Sequence, residues 1–276
     1  MKDLKLFSRF RKWNHLRLQK RKSLAIENIN YPFRLGVLGI MKNESMNIIE
    51  WIEHYIEEGS GQIYLIDNGS TDDTVSKIQK YIQEGIVHLI ELPQQHKQKH
   101  HYWTAIEYFK ILKNCQWLII ADLDEFWFCK DGEKLSEAIK DYQQHYDVVY
   151  VNWSIFGSGG NIIHPKSIRK ELIMRHEFLS SNVVTKYICK TSVLKSSENI
   201  EIHKIKGACS SKTISDNQKF QINHYVTQSI EYFEVKMKRG DAVKKLNDNI
   251  RDMEYFHRYD KPCIVEDFLL SNRITE

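Results

Sequence analysis

Two hydrophobic rhythms alternate along the first half of this chain. The stretch FRLGVLGIM is almost continuously apolar and then breaks into Lys42, Asn43 and Glu44, the pattern of a buried parallel strand that ends at a sheet edge. From Ile48 the period changes. Ile48, Trp51, Ile52, Tyr55 and Ile56 recur three or four residues apart until Gly59, which predicts a helix, with Asn47 and Glu50 spaced as a capping box at its start. The pair of signals repeats in QIYLIDNGSTDDT. There a short apolar run leads through Asn68 and Gly69 into a helix expected to be capped by Ser70 or Thr71, with Val75, Ile78 and Ile82 on one face. A strand at VHLIEL, a helix through Tyr102, Ile106 and Phe109, and a strand in WLII follow.

Strands alternating with helices of this length predict an α/β domain whose mainly parallel sheet is flanked by helices. The second half is less regular: DVVYVNWSIFGSGG reads as a strand running into a glycine-rich turn, KYICKTSVL as another strand, and SIEYFEVKMKRG as a helix stopped by Gly240. The expected organisation is an arm over residues 1–30, one domain over 31–240 and a small helical C-terminal extension over 241–276. In such sheets ligands bind beyond the carboxyl ends of the strands. Glu44, Asp67 and the cluster from Asp122 to Glu125 all follow strands, so they are expected to converge on one crevice.

The cluster is the strongest chemical signal. In WLIIADLDEFWF, Asp122, Asp124 and Glu125 interrupt an apolar segment, and carboxylates this crowded need a cation or a proton to stay in place. A D-x-D alone is weak, since Asp and Glu after a strand are often caps or solvated. The aromatic residues that follow argue against a merely solvated loop. Hard oxygen ligands of this type suit Mg²⁺ or Mn²⁺, which also bridge diphosphate oxygens, and in extended chain Asp122 and Asp124 would point the same way. Asp67, at a strand end, can accept hydrogen bonds from a base or ribose, although any capped helix would look similar. Gly157 to Gly160 fit no Walker or Rossmann fingerprint. His96, His100 and His101 lack the spacing of a zinc hydrolase and read as a solvated surface.

Composition narrows the setting. Five widely spaced cysteines with no CxxC pair argue against a disulfide framework or a zinc knuckle, no apolar run is long enough for a bilayer span, and no signal-peptide pattern opens the sequence. A cytoplasmic location is expected. Residues 1–22 hold nine Lys or Arg and one acidic residue, leaving −4 for the remainder of a chain whose total is +4. An acidic body argues against nucleic acid as a partner. Leu6, Phe10, Trp13 and Leu16 fall on one helical face among basic residues, which predicts peripheral binding of the arm to an anionic membrane at its inner face; a solvated basic tail is the plainer alternative.

Together the segments KNE with EWIEHY, IDNGSTDDT, DLDEF, WSIFGSGG and HYVTQSIEYFEVKMKRG resemble the glycosyltransferase family 2-like and family 92 proteins. The resemblance implies a GT-A fold and metal-dependent inverting transfer of a hexose, galactose or glucose first, from a UDP-sugar to a hydroxyl of a glycan or lipid-linked glycan. Bacterial surface polysaccharide or lipooligosaccharide synthesis is the implied setting. It also implies roles. Lys42, Asn43, Glu44, Asp67, Asn68, Asp122 and Lys186 would bind the donor, with Asp67 on the uracil side. Asp122, Asp124 and His224 would hold the metal, with His203 a rival for the histidine. Glu125, Trp153, Gly157, Ser158 and Gly160 would face the sugars. Glu171 or Glu177 would serve as general base, although KELIMRHEF departs from the family's usual ERF run. A metal-dependent phosphohydrolase and a non-catalytic carbohydrate-binding protein are the competing classes.

Overall fold

The computed structural model describes residues 30–94, 97–181, 183–239 and 251–274. The basic arm with its membrane expectation, His96 and Gly240 lie outside the described residues. Among the described residues no helix is long and apolar enough to cross a membrane.

The strands are β1 Phe33–Met41, β2 Gln62–Asp67, β3 Val87–Glu91, β4 Cys115–Ile120, β5 Glu125–Cys129, β6 Val148–Phe156, β7 Met174–His176, β8 Thr185–Lys190, β9 Thr213–Ser215, β10 Phe220–Tyr225 and β11 Cys263–Glu266. The helices are α1 Ile48–Glu57, α2 Thr74–Lys77, α3 Gln79–Gln83, α4 Gln98–Tyr108, α5 Ile111–Asn114, α6 Leu135–Tyr142, α7 Ile168–Glu171, α8 Ile230–Arg239 and α9 Met253–Asp260. Sheet order runs β3-β2-β1-β4-β8-β6-β7-β11. The first four strands are mutually parallel, as the strand–helix alternation predicts. Beyond β4 the sheet turns mixed: β8 is antiparallel to β4 and β6, and β10 lies parallel to β6 and antiparallel to β5. The C-terminal extension is helical only in part, because β11 adds to β7 as an antiparallel edge.

The period-2 alternation of the parallel strands sorts the core onto two faces. Leu35, Val37, Ile63, Leu65, Trp117 and Ile119 pack with Trp51, Ile52 and Tyr55 of α1, while Leu38, Tyr64, Ile66 and Leu118 pack with Tyr102 and Ile106 of α4. Burying each such large side chain contributes about 1.5–3 kcal/mol. Gly39 shows why a side chain is absent there: a Cβ would stand 3.2 Å from the Trp51 ring. That gap lets the indole lie across β1 and donate from Nε1 to the Asp122 carbonyl at 2.9 Å.

Two expected caps are replaced by other contacts. Asn47 makes no side-chain cap, and Glu50 instead accepts from the Ile168 amide, Ser167 Oγ and Arg169, tying α1 to α7. Helix α2 starts later than expected, at Thr74, because Ser70 is drawn to Asp67 and Thr71 to Asn43. His101, expected at a solvated surface, is buried, and among the described residues neither ring nitrogen has a hydrogen-bond partner.

Glu58 provides a pH-dependent test of the packing. Its carboxylate accepts from the Leu135 amide at 3.1 Å at the start of α6 and pairs with Arg273 at 2.6 Å. Burial outweighs the Arg273 charge, and the carboxyl is pushed up to about 7. A raised folded-state value means the contribution is present below the ordinary glutamate range and is lost as pH rises through about 7. Glu58→Gln is therefore expected to flatten the stability profile between pH 5 and 8 by on the order of 2–3 kcal/mol, read from urea unfolding. An unchanged slope would count against it.

Candidate active site

The acidic cluster is built on the turn between β4 and β5. The Ala121 amide donates to Leu38 O and the Glu125 amide to Asp122 O, so the chain leaves β4 in a tight turn rather than the extended form that would align Asp122 with Asp124. Two aromatic side chains of α1 fix the turn from below. Trp51 holds the Asp122 carbonyl, and Tyr55 OH donates to the Glu125 carbonyl at 3.0 Å.

The positive charge the cluster needs comes first from lysines. Lys186, on β8, sits 2.9 Å from Asp122 Oδ2 and 3.2 Å from Glu125 Oε1, while Glu125 Oε2 accepts from the Asp122 amide. Lys236, on α8, donates to Asp124 Oδ2 at 2.7 Å. Burial pushes Glu125, which is 0% exposed, well above the usual carboxylate range; Lys186 opposes this, and Asp122 and Asp124 add to it. Burial alone would lower Lys186, yet Asp122 and then Glu125 lift it above the ordinary lysine value. Asp122 is thus the chief counter-charge of Lys186, while burial dominates at Glu125. At Asp124 burial again pushes upward, but Lys236 and His224 prevail and hold the carboxyl well below its usual range.

His224 reaches the cluster from β10, opposite Glu125 in register. Its Nε2 lies 3.5 Å from Asp124 Oδ1, and its ring packs on Trp153 at 4.2 Å between centroids. His224 Nδ1 and Trp153 Nε1 are buried without a hydrogen-bond partner among the described residues. His203 packs against the same Trp153 and approaches the Thr185 carbonyl through Nδ1 at 3.0 Å.

Asp67 and Met41 end paired parallel strands at the same sheet edge, whereas the other expected residues are spread over separate loops and α7. Asp67 ends β2 beside Met41 of β1, but Oδ1 accepts from the Ser70 amide and hydroxyl, closing a local turn ahead of α2. Asn68 donates to Leu92 O and Gln94 O, bracing the ends of β2 and β3. Lys42 is half-buried after β1, Asn43 turns the backbone at φ 52°, and buried Glu44 accepts from Tyr232 OH at 3.2 Å. At the glycine-rich turn, the Ser158 amide donates to Asp260 Oδ1 at 2.6 Å, and a Cβ on Gly157 would stand 2.8 Å from Cys263 Sγ. Gly160, at φ 83°, donates to Ser158 Oγ. Glu171 is exposed and accepts from the Ser167 amide, while exposed Glu177 follows β7.

Lys236, Tyr232 and Asp260 were not singled out by the sequence reading. One signal was available: Tyr232, Phe233 and Lys236 share a buried helical face, and a lysine on such a face calls for an anion.

The donor set for a divalent ion is small. Among the described residues no three His, Cys, Asp or Glu side chains gather as a metal group. Asp124 Oδ1 and His224 Nε2 nevertheless face each other near the spacing of adjacent octahedral ligands, about 3 Å for Mg²⁺-like bonds. Such an ion commonly takes one or two protein ligands and completes its shell with phosphate oxygens and water. The pair fits that mode.

Residues 38–268 match the model of glycosyltransferase family 92. None of the curated proteins matches the chain. The chain is similar to the crystal structure of S. aureus TarS, with 16% identity and a TM-score of 0.46 over 78% of this chain and 41% of TarS. For TarS 1-349 in complex with UDP the identity is 16% and the TM-score 0.46, over 73% of this chain and 63% of that one. For GalNAc-T7 with UDP, GalNAc and Mn²⁺ they are 13% and 0.43, over 73% and 45%. The chain thus spans less than two thirds of each of these three structures.

Proposed function

The chain belongs to glycosyltransferase family 92, and on that premise we propose that the crevice around Asp124 transfers a hexose from a UDP-sugar to a hydroxyl of a glycan acceptor with inversion. One observation carries this reading: an acid cluster at the carboxyl edge of the parallel strands, flanked by two buried lysines, that leaves one Asp124 oxygen facing His224. Lysines and a metal position together suit a diphosphate, which a plain carbohydrate-binding surface would not need.

Asp124 and His224 would hold Mn²⁺ or Mg²⁺, which when bound acts as a Lewis acid on the leaving diphosphate. The protein's own groups supply the rest. Lys186 fixes Asp122 toward the ribose or metal side, and Asp67 and Asn68 border the place proposed for the base, alongside Lys42, Asn43 and Glu44. Glu125, Trp153 and the Gly157–Ser158–Gly160 turn border the sugars. Inversion needs a base at the acceptor hydroxyl. Glu171 spends a carboxylate oxygen on its own helix, so Glu177 is proposed first: it lies three residues before Ser180, whose amide donates to the Trp153 carbonyl. Trp153 and the acceptor side thereby come under one loop. The acceptor class is a glycan, free or lipid-linked.

Incubation with UDP-galactose or UDP-glucose and Mn²⁺, with and without acceptor glycans, tests the reading. UDP release that requires acceptor is expected, together with a lengthened glycan. Equal phosphate release without acceptor would instead support a phosphohydrolase, and binding of glycan with no UDP release a non-catalytic role.

A further inference from the structure

Lys236 stands where it changes what Asp124 can bind. Its ammonium donates to Asp124 Oδ2 at 2.7 Å and to the Val226 carbonyl at 3.0 Å, and lies 5.6 Å from the centre of the Tyr232 ring. The side chain is 5% exposed, so water does little to screen it. The helix that carries it is anchored at its start. Ser229 Oγ accepts from the Tyr232 amide, and the Ile230 and Glu231 amides donate to Asn161 O and Ile162 O of the glycine-rich loop. On the opposite side Asp124 is fixed through its backbone, where its carbonyl accepts from the Tyr225 amide at the end of β10. Carboxylate and ammonium are therefore held in register by separate elements.

One oxygen of Asp124 is thereby committed, and only Oδ1 faces His224 Nε2. A divalent ion entering there finds a single oxygen of Asp124 and a fixed like charge close by. Repulsion between a divalent and a monovalent cation a few ångströms apart is strong where water is scarce. A nucleoside diphosphate brings negative charge that offsets both cations at once. Resting on the donor-and-metal reading above, we propose that Lys236 is a positioning residue that makes divalent-metal binding depend on the nucleoside diphosphate. Metal and diphosphate then enter as a unit. By reciprocity each raises the affinity of the other by the same factor.

The test is a titration of the full-length protein with Mn²⁺, read as loss of the free-ion EPR signal, without and with saturating UDP. For the wild type, UDP is expected to tighten Mn²⁺ binding by about 10- to 100-fold. In Lys236→Met and Lys236→Gln, Mn²⁺ binding without UDP is expected to tighten by about tenfold, and the UDP-dependent gain to shrink by the same factor. Lys236→Arg keeps the charge and should behave as wild type. The glutamine variant keeps a donor to Asp124 and carries the test if the methionine variant does not fold. The proposal is overturned if the folded neutral variants bind Mn²⁺ without UDP no more tightly than wild type, or if wild type binds Mn²⁺ equally with and without UDP. Absence of Mn²⁺ binding to wild type even with saturating UDP would overturn both this role and the metal reading, whereas the preceding outcomes, with UDP binding verified by calorimetry on the same protein, overturn the role of Lys236 alone.

Discussion

Asp124→Asn is expected to lower sugar transfer by about 10³-fold or more, since a single lost electrostatic contact to a leaving group already costs about 10²–10³. The same substitution also removes the carboxylate charge that faces the buried Lys236 ammonium, which donates to Asp124 Oδ2. Breaking one side of a buried ion pair costs about 3–5 kcal/mol. Loss of activity therefore has two possible sources, and a second variant separates them. Asp124→Asn combined with Lys236→Met removes the pair together and should regain most of the lost stability in urea unfolding while remaining inactive. Recovery of transfer in the double variant would show that Asp124 serves only to neutralise the lysine.

The second large effect is at Lys186. Lys186→Met leaves Asp122 and fully buried Glu125 without their cation and is expected to cost about 3–5 kcal/mol at pH 7. Its pH dependence distinguishes this from lost packing. Glu125 is pushed upward by burial, then opposed by Lys186, so removing the lysine raises it further. The folded state then holds a proton that the unfolded chain releases, and stability falls as pH rises through the folded value. The variant should lose less stability relative to wild type at pH 5 than at pH 8. An equal loss at both values would mean that only packing was disturbed.

These lysines also mark the limit of what the sequence reveals. The parallel half of the sheet was legible because buried strands and amphipathic helices have different apolar periods, from Phe33 through Ile120. Strand β5 was not, since EFWFC continues a charged cluster and its pairing with β10 joins residues nearly a hundred positions apart. The need for a cation at Asp122, Asp124 and Glu125 was readable from charge crowding alone. That the chain supplies two of its own, from β8 and α8, depends on tertiary contacts, of which the buried helical face carrying Lys236 was the one local sign. The capping box at Asn47 failed for a related reason: Glu50 finds a stronger partner set at Arg169 and the start of α7. Glu171, expected as a base, is likewise claimed by a local contact with Ser167.

All of the chemistry proposed above requires that the crevice around Asp124 bind a uridine diphosphate. Calorimetric titration of UDP into the protein with Mn²⁺ tests it most directly, alongside Asp124→Asn, Asp67→Asn and the exposed control Glu84→Ala. One UDP per chain is expected, with binding at least about tenfold weaker in both aspartate variants and no change for Glu84→Ala. No UDP binding by the wild type, or equal affinity across all four proteins, would contradict it.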